Sequence, residues 1–243
     1  MNNSLFLITG ASGKLGLAFI EKLKEQGAKI VGISRKEILI EGVETFKADL
    51  LREEEVNDTL KLIDLRSYQD IYLIHAVGKF KFEKDRQNIV DANQDGVDDE
   101  VYATNVITLK NILKTLLSQK YSTKIKVCTF ASISDKYNIP FWRSYTMSKN
   151  VMRGYLKELC KEGYIQALVV NVSTVDTGNE NNLRPRADKT YWLDTVEIVA
   201  TALPELYTLS GYKEIDVIKE RPGFSKDYYL DHEAILKKWE NEM

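Results

Sequence analysis

Tyr145 and Lys149 stand four residues apart near the start of a helical pattern, so their side chains share one helix face. A free phenol titrates near about 10, too high for efficient proton exchange at neutral pH; a neighbouring ammonium stabilises the phenolate and is expected to lower that value. The spacing alone carries little, because with 13 Tyr in the chain about one such pair arises by chance. The weight comes from the neighbours. Ser132 follows an apolar strand pattern and precedes Tyr145 by thirteen residues, and Asn105 lies in the preceding helical stretch. Such a set suits hydride transfer to a carbonyl, where negative charge builds on oxygen. Tyr145 would supply the proton, Ser132 (or, as a weaker alternative, Ser134) would hold the substrate oxygen, and Asn105 would help to position Lys149.

A second constellation follows the first apolar run. Thr9, Gly10, Ala11, Ser12, Gly13, Lys14, Leu15 and Gly16 turn a strand into a helix. Glycine permits the tight turn and lets a pyrophosphate approach backbone N–H groups at the helix N-terminus. At the end of the second strand pattern, where an acid would bind the ribose hydroxyls of NAD, the chain has Ser34, Arg35 and Lys36. An Arg fork suits a dianionic 2′-phosphate, and Lys14 would add to the same positive field, so NADP is expected over NAD. The bland alternative makes Arg35 and Lys36 surface charges beside Glu37.

The elements that must position these groups are read from periodicity. Apolar runs at 5–9, 28–33, 43–47, 70–75, 124–131, 164–171 and 214–219 predict strands, several of them apolar enough for a sheet buried on both faces. Helical patterns at 14–26, 52–64, 98–118, 144–161 and 195–208 alternate with them. Strand and helix in alternation predict one doubly wound α/β domain over 1–243. Polar stretches at 79–100 and 176–192 interrupt the pattern; the second is expected to form a substrate lid, and 221–243 a C-terminal tail.

At this point the chain resembles the short-chain dehydrogenase/reductase family over roughly residues 4–220. Thr9 to Gly16, Asn105, Ser132, Tyr145 and Lys149 match its glycine turn and its reacting set. Asp49 and Leu50 resemble the family's adenine contact. The segment Ile74, His75, Ala76, Val77, Gly78 sits where its Asn-Asn-Ala-Gly stands, and Thr177, near Val175, matches a Thr that holds the nicotinamide carboxamide. The resemblance implies a Rossmann fold with a seven-stranded parallel sheet in the order 3-2-1-4-5-6-7, a small carbonyl or alcohol substrate, and a homodimer or homotetramer. The chain departs from the pattern in its glycine spacing, in Ile74 and His75 for Asn-Asn, and in Val172 and Ser173 for Pro-Gly. The 94 residues after Lys149 suit a compact reductase rather than an extended member.

Composition removes other classes. Lys plus Arg number 34 against 36 Asp plus Glu, a balance unlike that of a basic nucleic-acid binder. Two Cys and two His exclude a disulfide framework and a Cys/His zinc set, and both cysteines are expected reduced and buried. No apolar run reaches the roughly 18–20 residues of a membrane span, so a cytoplasmic protein is expected. His75 is expected to pack or bond backbone rather than shuttle a proton, Phe141 and Trp142 to line a pocket or the core, and Arg184, Arg186 and Lys189 to lie in a solvated loop rather than meet an anionic substrate. A methyltransferase would leave Tyr145 and Lys149 unexplained. A non-catalytic NADP-binding sensor on the same fold is the alternative to an enzyme.

Overall fold

A computed structural model describes residues 3–83, 98–119, 124–137, 139–219 and 226–243, without the side chains of residues 134, 179 and 226. Seven strands, β1 (Ser4–Thr9), β2 (Lys29–Ser34), β3 (Glu44–Lys47), β4 (Asp70–His75), β5 (Lys124–Ser132), β6 (Gln166–Val172) and β7 (Tyr212–Val217), form one sheet. Its order is β3-β2-β1-β4-β5-β6-β7 and every pairing is parallel. The central strands read as continuous apolar runs because helices cover both faces. On one face α2 (Glu53–Lys61), α3 (residues 99–118) and α5 (Arg143–Lys161) bury Val56, Leu60, Ile112, Leu116, Met152 and Leu156 against the sheet. On the other, α1 (Lys14–Glu25) and α7 (Thr195–Tyr207) bury Phe19, Ile20, Leu23, Ile198 and Leu206.

Helix α3 runs through three segments: Asp99–Tyr102, a π turn over Ala103–Ile107, and Thr108–Ser118. Asn105 sits in the π turn, a geometry that concentrates where helices carry functional groups. The wide turn seats Asn105 where its amide meets the backbone after β4. Short helices α4 (Ile133–Lys136) and α6 (Asn179–Leu183) follow β5 and β6.

Several expectations change. The last strand lies at Tyr212–Val217 rather than 214–219, because its pairing starts where Gly211, at φ 68°, ends the turn. The stretch expected as a tail carries α8 (His232–Glu242), capped by Asp231, whose side chain accepts from the Ala234 N–H. Its Ile235 and Trp239, one turn apart, enter a third apolar cluster with Ile139, Phe141 and Trp142. Of the cysteines, Cys128 is buried but Cys160 only half-buried; both are free thiols. Most of the polar stretch 79–100 lies outside the described residues. Among the described residues, no helix is long and apolar enough to cross a membrane and no His/Cys/Asp/Glu group could hold a metal.

Candidate active site

The glycine turn is shaped by contacts that forbid side chains. Gly10 has φ 77°, and a Cβ there would come within 2.5 Å of the Ala76 carbonyl oxygen after β4. A Cβ on Gly16 would collide with the Gly10 carbonyl. Gly10 and Ala11 N–H both donate to Ile33 O, tying the turn to β2. Gly13 caps α1 without a side chain, and the first bond across the turn runs from Leu17 N–H to Gly13 O at 2.9 Å. The N–H groups of Lys14, Leu15 and Gly16 precede that bond and point out of the helix end, as in any first turn. A bare backbone with a positive helix end is the cradle a pyrophosphate requires, so the residues present fit a dinucleotide.

Around this cradle the other cofactor-side residues take different positions. Ser34 is buried and its hydroxyl donates to Lys36 O, while Arg35 and Lys36 are exposed at the end of β2. Asp49 follows β3, and its side chain accepts from Leu51 N–H at 3.0 Å. Lys14 does not join Arg35. It reaches across to the segment after β6, with Nζ 3.4 Å from Asp176 O and 3.8 Å from the Asp176 carboxylate. Val175 forms a parallel bridge with Leu193, and Thr177 N–H donates to Val175 O at 2.8 Å.

His75 ends β4 fully buried. Its Nδ1 lies 2.8 Å from Thr9 Oγ1 and its Nε2 3.2 Å from Thr108 Oγ1. Thr108 donates its own hydrogen to Thr104 O, so Nε2 carries the ring proton and Nδ1 accepts from Thr9. The partners are side-chain hydroxyls, not backbone. Burial, with a smaller push from Lys149, lowers its pKa to about 3, which keeps the ring neutral and makes it a pin between β1, β4 and α3.

Asn105, Tyr145 and Lys149 gather beyond the C-terminal end of β4. Lys149, 3% exposed, holds Nζ 5.4 Å from the Tyr145 ring centroid. A Cβ on Gly78 would lie 3.6 Å from that Nζ and 3.4 Å from Asn105 Oδ1, ordinary contact distances that set the chain after β4 against both side chains. Asn105 does not bond Lys149. Its amide accepts from Lys79 N–H at 2.7 Å and donates to Lys79 O and Ser148 Oγ, each at 2.9 Å. It clamps the chain after β4 to α5, and its hold on Lys149 is indirect. Ser132 closes β5, with its N–H 3.4 Å from Asp135 Oδ2; the side chain of Ser134 lies outside the described residues.

The expected fall in the Tyr145 pKa is reversed. Burial, then the charges of Asp135 and Glu180, hold the phenol above its ordinary value, against an opposing push from Arg153. Burial also presses Lys149 down to about 8, with Asp135 raising and Arg153 further lowering it. Desolvation outweighs the attraction that the Tyr-x-x-x-Lys spacing suggests. The phenol is therefore protonated at neutral pH.

Sequence reasoning missed the groups that surround this centre. Asp135 and Arg153 form a buried fork behind it, at 2.6 and 3.2 Å. Glu83 binds the start of α5 through Ser144 N–H and Oγ at 2.9 and 2.5 Å, where a carboxylate complements the helix end. Phe80 packs edge-on to Tyr145 at 5.2 Å and meets Trp142 and Trp239. Arg184, expected in a solvated loop, is 2% exposed. It binds Glu180 and Glu242 at 2.9 Å and stacks on Trp239 at 3.9 Å, because α8 folds back over the segment after β6. Arg186 and Lys189 are exposed as expected. Charged residues inside a polar stretch look alike in one dimension, and only Trp239, at helical spacing from Ile235, hinted at an apolar cover.

The chain matches the short chain dehydrogenase family over residues 4–188. An uncharacterized oxidoreductase of Staphylococcus aureus (strain MRSA252) is 22% identical over 227 residues, covering 89% of this chain and 95% of that protein. A short chain dehydrogenase from Burkholderia cenocepacia, solved in complex with NADP, superposes with a TM-score of 0.70 at 18% identity, over 97% of this chain and 96% of that one. A 3-ketoacyl-(acyl-carrier-protein) reductase from Brucella melitensis, solved with NADH, gives 0.69 at 18% identity, over 90% and 98%. With its glycine turn, parallel sheet order and matched span, the chain belongs to the short chain dehydrogenase family of nicotinamide-dependent oxidoreductases.

Proposed function

We propose that this protein is a cytoplasmic, single-domain reductase that uses NADPH to reduce a carbonyl of a small molecule, or runs the reverse oxidation, with Tyr145 as the acid and base. The observation that carries the reading is the buried Lys149 ammonium beside the Tyr145 ring, next to Gly78 and Asn105. When bound, the dihydronicotinamide supplies the hydride. Tyr145 Oη gives its proton to the substrate oxygen, and Lys149 stabilises the phenolate that remains. Ser132 offers a second donor to the same oxygen, and Asn105 keeps the chain after β4 and α5 in register. Thr9, Gly10, Ser12, Gly13, Lys14, Leu15 and Gly16 would hold the pyrophosphate side. Asp49, Leu50, Ala76, Val77 and Gly78 would flank the adenosine and the ribose, and Val175 and Thr177 the carboxamide.

Arg35, exposed beside Lys36 with no acid at the end of β2, supports a 2′-phosphate and hence NADPH over NADH. Equal affinities for NADPH and NADH in a fluorescence titration would remove that preference. Met147 and Val151, 37% and 38% exposed one turn apart on α5, suit a homodimer or homotetramer built on that helix. Steady oxidation of NADPH across a panel of aldehydes, ketones and quinones tests the whole reading. Tyr145→Phe should lower turnover by at least about a thousandfold while leaving NADPH binding within about twofold. Binding of NADPH with no turnover of any carbonyl would instead favour the sensor.

A further inference from the structure

Arg153 is the third residue of a row on α5: Tyr145, Lys149 and Arg153 follow one another at steps of four, so one face of the helix carries all three. Arg153 is 8% exposed and Asp135 4%. Nη1 lies 2.6 Å from Asp135 Oδ2 and Nη2 3.2 Å from Oδ1, a fork against both carboxylate oxygens. The same Oδ2 receives the Ser132 N–H at 3.4 Å. On its far side the guanidinium gives Nε to Glu214 Oε2 at 3.1 Å and Nη2 to Asn171 Oδ1. Asn171 in turn donates to Asp216 Oδ1 at 2.9 Å, so the group is braced by both β6 and β7.

From this arrangement we infer that Asp135 and Arg153 are positioning residues for the reaction. The fork fixes the segment carrying Ser132 against the helix carrying Tyr145 and Lys149, and so sets where the two hydroxyl donors meet the substrate oxygen. Neither residue touches the reacting atoms. Stability alone does not require an ion pair here, because well-packed apolar residues of similar volume usually hold a buried site at least as firmly. What apolar packing lacks is direction. A planar guanidinium meeting both oxygens of one carboxylate fixes distance and angle together, and reacting groups a single ångström out of place lose about a hundredfold in rate. The inference rests on the assignment of Tyr145 as proton donor, and the experiment keeps the two apart.

The test compares Arg153→Lys, the double variant Asp135→Leu with Arg153→Met, and Tyr145→Phe in the full-length protein, with NADPH as donor and ortho-naphthoquinone as the probe acceptor. Thermal unfolding and NADPH affinity are measured beside kcat and KM. The double variant leaves no buried charge of the pair unpartnered and is expected to fold. Its kcat should fall tenfold to a hundredfold while NADPH affinity stays within about twofold. Arg153→Lys, which keeps the charge but loses the fork, should fall between the double variant and the natural protein. A double variant that folds and turns over the quinone at the natural kcat overturns the inference, as does a loss confined to NADPH affinity. Activity retained by Tyr145→Phe overturns the reading of the site and the positioning role with it; loss in Tyr145→Phe beside full kcat in the double variant overturns the positioning role alone.

Discussion

Arg153 and Arg184 are both almost wholly buried, both meet two carboxylates, and both lie far in sequence from a partner. Their surroundings differ. Arg153 is held among strand ends and polar side chains: Asp135 after β5, Asn171 on β6 and Glu214 on β7. Arg184 is held between rings, with Trp239 at 3.9 Å and Trp192 at 5.1 Å, and joins α6 to α8 through Glu180 and Glu242. One arginine is fixed by directed bonds behind the reacting groups. The other is a clasp that fastens a cover made of the segment after β6 and the C-terminal helix. Two buried charges of the same type can thus serve geometry in one place and closure in the other.

The largest effect is expected at Arg153. Arg153→Leu leaves Asp135 buried without its fork and should cost about 3–5 kcal/mol, read as a lower urea midpoint, together with a fall in kcat. Arg184→Leu should destabilise by less, because Glu180 already has a raised pKa, from burial first, and can take up a proton when its partner is gone. Its kinetic mark should be a raised substrate KM with kcat little changed; a kcat loss as large as that of Arg153→Leu would erase the distinction. Trp239→Ala removes the ring on which Arg184 and Phe80 rest and should cost about 3 kcal/mol while loosening α8, visible as faster amide exchange over 232–242.

Two smaller effects depend on pH. Lys149, pressed down to about 8 by burial, is charged below that value and neutral above it. Reductive turnover should therefore fall as pH rises through about 8, and Lys149→Arg should carry the limb to higher pH. His75 has a folded-state value of about 3 against an ordinary 6.5, so the unfolded chain binds a proton that the folded chain refuses. Stability should decline as pH falls from about 6.5 toward 3, by at most about 1.4 kcal/mol per pH unit, and His75→Asn should flatten that slope in urea titrations.

The glycine turn and the strands were legible because their signals are local. Gly10 and Gly16 are required by a turn whose strand and helix lie beside them in sequence, and alternation of apolar runs marked all seven strands to within about two residues. The seventh slid by two residues because its register is set by β6 and not by its own composition. The surroundings of Tyr145 were poorly legible because their contacts are long-range. Phe80, Trp142 and Trp239 come from three distant segments, and nothing in any of them names the others. Arg184 read as a loop charge because burial depends on what folds over it.

The doubly wound parallel sheet, the glycine turn at its centre, and the spacing that places Tyr145 and Lys149 on one face of a helix are all written in the order of the residues. These follow from periodicity and from steric limits within a few residues. The protonation of that pair, the partners of Asn105 and His75, the fork of Arg153, and the folding of α8 over Tyr145's neighbours arise only in the packed chain. Charge in a folded chain is governed by desolvation and by groups brought together from distant positions, and neither quantity exists until the chain has packed.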